Sequence, residues 1–137
     1  MKKTINLAFL YAILAMIGGV FYREFTKFSN FSGTTTLSVV HTHLFMLGTF
    51  MFLIVTLLQK QFAIHQVKKY RYFMIFYNFG VSLTTIMLLV RGILQVNMSV
   101  LSKGIDAMIS GFAGIGHISL GIGIFFLFLC LKEQVKE

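Results

Sequence analysis

The chain has no proline, a single cysteine and very little charge. One thiol cannot build an intramolecular disulfide framework. Charged residues make up 12% of the sequence, about half the share of a soluble domain. Acidic residues are the scarcest, four against twelve Lys and Arg. Such a composition excludes an ordinary soluble domain, a disordered segment and a soluble DNA-binding module. In their place, 57% of the 137 residues are apolar and 15% aromatic, and the mean hydropathy is +0.84. The net charge of +8 asks for an anionic partner. In so apolar a chain that partner is lipid head groups rather than nucleic acid.

The few charges leave long gaps. A membrane-spanning helix needs about 20 mostly apolar residues. Uncharged stretches run over 4–22, 28–59, 72–90 and 107–131. They predict four transmembrane helices at about 4–22, 36–58, 72–96 and 107–131 in a single domain spanning 1–137. The stretches are continuously apolar, whereas a β-barrel needs alternation. The expected fold is therefore all-α, an integral membrane four-helix bundle, up-down-up-down. The first stretch reads as a helix rather than a signal peptide, because it exceeds a typical h-region and no A-x-A site follows. Arg23 and Glu24 read as its end.

Lys and Arg set the orientation. Lys2, Lys3, Lys60, Lys68, Lys69, Arg71, Lys132 and Lys136 fall on one side, and Arg23, Lys27 and Lys103 on the other. Both termini are expected in the cytoplasm of a bacterial cell, in its plasma membrane. His65 falls in the basic 60–71 loop as a solvated bystander. Thr34, Thr35 and Thr36 offer caps for the second helix.

Three histidines fall inside helices, His41 and His43 in the second and His117 in the fourth. Ionisable side chains within a membrane are costly and point to function, and a neutral imidazole is a metal ligand. Helices two and four run in the same direction, so His43 and His117 are expected at similar depth. Two imidazoles reaching across a bundle can hold a haem iron, and bundle cores hold cofactors in this way. Gly114, His117 and Gly121 share one face of helix four. Gly48 follows His41 by seven residues, on its face. These glycines offer room for a macrocycle.

His41 and His43 are two apart and point about 200° from one another. One faces the bundle centre and the other a different neighbour or a second cofactor; the spacing does not say which. The plainer alternative is that the histidines bond to Ser38, Thr42 or Thr49 and that the glycines only permit close packing. Helix three carries a polar side, with Tyr77, Thr84 and Arg91 at intervals of seven and Asn78, Ser82 and Thr85 on an adjoining strip. Arg91 suits a haem propionate; it equally suits lipid head groups, Glu24 or Asp106.

The run His41-Thr42-His43-Leu44-Phe45-Met46-Leu47-Gly48, followed by Gly116-His117-Ile118-Ser119-Leu120-Gly121, resembles an uncharacterised family of small four-helix bacterial membrane proteins over most of the chain. The H-x-H pattern is also similar, over short motifs only, to haem–copper oxidase subunit I and the nitric-oxide-response haem family. That second resemblance implies a haem for each of His41 and His43, with His117 completing one site. Four helices and three membrane histidines do not make a complete oxidase site, so an enzyme is not expected.

The expected function is that of a membrane haem-binding, cytochrome b-like protein, with a b-type haem between helices two and four. Its work would be electron transfer or gas and redox sensing. The alternatives are a copper-binding membrane protein using His41, His43, Met46 and Met51, a small transporter, or an accessory subunit without cofactor. The expected partners are the lipid bilayer, a second copy or larger membrane complex, and a redox partner; no nucleic acid is expected.

Overall fold

Residues 1–135 are described by the computed structural model; Lys136 lies outside them. Among these residues there are four long helices: α1 (Lys2–Phe28), α2 (Leu37–Phe62), α3 (Tyr70–Val96) and α4 (Lys103–Gln134). All four are long and apolar enough to cross a membrane. Each is longer than predicted, because a helix does not stop where hydropathy does. Arg23 and Glu24 do not end α1, which runs on to Phe28. The charged pair lies within helix, its side chains 3.8 Å apart.

Only 22–33% of each apolar stretch is buried within the molecule. The rest must face lipid, since a single layer of four helices has too little interior to cover it. The exposed surface carries the corresponding large apolar residues, among them Phe9, Ile17, Leu57, Ile118 and Phe125.

Packing follows chain order. α1 lies on α2, α2 on α3, and α3 on α4; neither α1 nor α2 packs closely on α4. At α3/α4, glycines bring the backbones together. A Cβ placed on Gly80 would stand 2.6 Å from the Leu120 backbone nitrogen, and one on Gly123 2.8 Å from that of Tyr77. Such small-residue contacts replace hydrophobic driving force within a bilayer. Ser119 donates across the same interface to the Phe76 carbonyl at 2.8 Å.

Polar bonds pin the two ends. Where the 29–36 and 97–102 loops lie, the Thr35 hydroxyl donates to the Gly92 carbonyl and that of Thr36 to Leu88. Thr36 thus spends its hydroxyl on α3 instead of capping α2. Thr35 takes the bond from the Leu37 amide at 3.3 Å. At the opposite end, Thr4 donates to Gln59, and Gln59 donates to Tyr70. His65 is exposed in a single 3-10 turn, Ile64–Gln66, of the connecting loop.

Within α2, residues Leu44–Phe50 are wound as a π-helix. Gly48 belongs to this segment, and its open side is filled by Tyr11 of α1. A Cβ there would stand 2.5 Å from the Tyr11 ring. The expected room for a macrocycle at Gly48 is therefore taken by protein. Tyr11 is held in place by stacking on Phe52 and by donating to Asn78 on α3 at 3.0 Å. Gly48→Ala is expected to destabilise the fold by about 1–3 kcal/mol, read as a lowered thermal midpoint in detergent. A Gly48→Ala, Tyr11→Ala double variant should recover the steric part of that loss.

Candidate functional site

α3 is the element that places the histidines. Its polar side faces protein on three fronts. Asn78 and Thr85 lie toward α1, Leu88 and Gly92 touch α2, and Gly80 and Thr84 touch α4. α2 and α4 flank α3 without packing closely on one another, and the groove between them is closed at its floor, where Thr84 and Tyr77 are 1% exposed.

His43 is one wall of this groove. It follows Thr36 by seven residues, on the stripe whose first member bonds to α3. Counted along the antiparallel pair from Leu37 on Gly92 and Thr36 on Leu88, it stands opposite 81–86 of α3. His117 is the other wall. It adjoins Gly116, which packs on Thr84, and follows Ser110 by seven residues, on the flank that Arg91 reaches. Both histidines therefore stand level with Thr84, one on each side.

The two rings share one arrangement. His43 Nδ1 bonds the Val39 carbonyl at 2.8 Å, and His117 Nδ1 bonds the Ala113 carbonyl at 2.8 Å. A carbonyl oxygen only accepts, so each Nδ1 carries the proton. In the neutral ring this leaves Nε2 with its lone pair directed away from its own helix. Metal-ligating histidines are oriented in this way, one nitrogen donating to a carbonyl and the other free for the metal. Nothing in the sequence signals these bonds, since every helical residue has a carbonyl four positions back.

His41 is set apart. It faces α1, where a Cβ on Gly19 would lie 3.7 Å from its ring. Its Nδ1 is buried and has no hydrogen-bond partner among the described residues. The geometry thus separates the two histidines of the H-x-H run, with His43 on the groove and His41 against α1.

Gly114 and Gly121 flank His117 by one turn on each side. Both are exposed, with nothing within 4 Å of a Cβ placed on either. They make a bare strip beside the imidazole. It lies on the open face of α4 rather than in a closed core, and His117 is itself exposed. Arg91 sits toward the loop end of the groove. Its Nη2 donates to Asp106 at 3.1 Å and to Ser110 at 2.7 Å. Of the partners open to it in the sequence, Asp106 is the one engaged. The pair is half-exposed, so Arg91→Gln should cost less than about 1 kcal/mol in a detergent unfolding titration.

The floor of the groove holds a group that hydropathy does not mark as special. Thr84 is 1% exposed, and its Oγ1 has no hydrogen-bond partner among the described residues. Its place in the polar repeat with Tyr77 and Arg91 was the available signal. Tyr77 uses its hydroxyl on the Leu47 carbonyl at 2.9 Å.

Among the described residues no three His, Cys, Asp or Glu side chains come together as a metal-ion site. A haem brings four equatorial nitrogens with it and asks the protein for only one or two axial ligands. The two oriented imidazoles offer that number of ligands, and open space lies beside one of them. Arg91, already engaged by Asp106, fits a haem less directly.

The fold and its apolar surface define a small multi-pass membrane protein of four helices, in contact with the bilayer. More particularly, the chain belongs to the family described as protein of unknown function DUF2871, which matches residues 1–134. No curated protein and no solved structure matches it. The short-motif likeness to haem–copper oxidase subunit I finds no counterpart in these comparisons.

Proposed function

We propose that the protein is a membrane haem-binding protein of cytochrome b type that carries electrons. His43 and His117 would be its axial ligands. The observation that carries this reading is the pair of imidazoles on α2 and α4, each with Nδ1 tied to its own helix. Locked tautomers remove the need to reorganise the ligands on binding. The bare strip at Gly114 and Gly121 gives a flat group somewhere to lie. A bound haem would supply a one-electron couple, and two protein ligands would leave no open position for a gas.

The copper reading has less support. Met46 is 62% exposed, and His41 and His43 address different neighbours. By the distribution of Lys and Arg, both termini lie in the cytoplasm of a bacterial cell, which puts the histidines in the outer half of its plasma membrane. A redox partner would then meet the protein from the outer side, and the exposed α4 face leaves space for a second copy.

The test is the visible spectrum of the detergent-purified protein, oxidised and then reduced with dithionite. Sharp bands that shift on reduction and ignore carbon monoxide are expected. Bands that move under carbon monoxide would replace electron transfer with gas binding. A colourless protein after haem-supplemented expression would end the haem reading.

A further inference from the structure

On the opposite flank of α3 from the histidine groove, a cavity of about 400 Å³ lies between α1, α2 and α3. This is within the size range of small-molecule sites, roughly 300–1,000 Å³. It exists because Gly18 on α1 and Ser82 and Thr85 on α3 are too small to fill the space between those helices. Tyr11, Val40, Leu44 and Thr85 are buried and form its floor. Leu14, Ile17 and Ile86 form its mouth and are 41–59% exposed on the apolar outer surface. A ligand must therefore enter sideways, from within the bilayer, and must be lipid-soluble.

The floor is not purely apolar. Thr85 is 7% exposed and lines the cavity, and its hydroxyl forms no hydrogen bond among the described residues. Ser82 lies at the rim on the same strip. A lipid acyl chain would leave the Thr85 hydroxyl nothing to donate to but a carbonyl of its own helix. A planar ring bearing a carbonyl would accept from it, and would lie between Tyr11, Phe21 and Leu89. An apolar tail could leave through the mouth.

We infer that this cavity is a binding site for a membrane-dissolved quinone, with a ring carbonyl accepting from Thr85. The inference concerns binding alone and does not depend on a haem. The adjacent residues Thr84 and Thr85 nevertheless put the two sites at one level of α3, Thr84 toward the histidines and Thr85 toward the cavity.

The probe is a tritiated decyl-benzoquinone, titrated against the full chain in nanodiscs, with protein-free nanodiscs as the partition control. Saturable binding at one site per chain is expected. Thr85→Val, which keeps shape and removes the hydroxyl, should weaken it about tenfold, the loss of one buried hydrogen bond. Gly18→Leu should fill the cavity and abolish binding. Gly18→Ala, whose Cβ would meet Val40 at an ordinary 3.4 Å, guards against a folding defect and should weaken binding without loss of thermal stability. Binding that follows partition alone would overturn the proposal. So would full affinity in Thr85→Val, which would assign the cavity to an acyl chain, or full affinity in a folded Gly18→Leu, which would place the quinone elsewhere.

Discussion

His117→Ala is expected to erase the haem spectrum of the purified protein, and His43→Ala to do the same or leave a weak, carbon monoxide-reactive remnant. His41→Ala is expected to keep it. The asymmetry follows from position. His43 and His117 lie on the α2 and α4 sides of Thr84, whereas His41 lies against Gly19 on α1. Removing one of two axial ligands opens a coordination position, so a surviving remnant would change its ligand chemistry as well as its amount. A further variant separates ligation from access. Gly121→Leu adds bulk where nothing lies within 4 Å, so it should leave thermal stability unchanged and lower haem content. Equal haem content in all these variants would place any cofactor elsewhere.

The second large effect concerns stability. Gly80→Ala is expected to destabilise the protein by about 3 kcal/mol, the upper end of ordinary overpacking. The new methyl would meet the Leu120 nitrogen at 2.6 Å and the Gly116 carbonyl at 2.9 Å. Both are backbone atoms, which cannot rotate aside, so α3 and α4 must separate. Separation would also strain the Ser119–Phe76 bond. Gly114→Ala is the control. It adds the same methyl on the open face of the same helix pair and should be neutral, or slightly stabilising through helix propensity. Unfolding of both variants in mixed detergent micelles would measure the contrast; equal midpoints would mean that α3 and α4 are not closely packed.

Much of this fold is written in the spacing of charge. The gaps between Lys and Arg marked four helices, and the polar repeat Tyr77, Thr84, Arg91 marked the side of α3 that meets protein. Direction about each helix axis was harder to read. A continuously apolar helix buries whichever face its neighbour meets, so nothing in the hydropathy of α4 told the packed Gly116 and Gly123 from the bare Gly114 and Gly121. Gly48 was misread for the same reason, because the partner filling it, Tyr11, is distant in sequence. The unresolved choice between His41 and His43 also needed the neighbours, α1 for one and the groove for the other. The cavity at Thr85 was hidden because a space belongs to three helices and to no single motif.

The π-wound stretch Leu44–Phe50 has a consequence for how this helix can change. A π segment absorbs the equivalent of one extra residue without lengthening the helix by a full α-helical step. The part of α2 bearing His41 and His43 is thereby out of angular phase with the part bearing Phe52, Val55 and Gln59. Removing one residue inside 44–50 would restore ordinary winding and leave the histidines and the lower half in the relative orientation they have now. A single deletion there should therefore be absorbed by the loss of the π turn, with the imidazoles still aimed as they are. The same deletion in 51–62 would throw the packed core of α2 out of register.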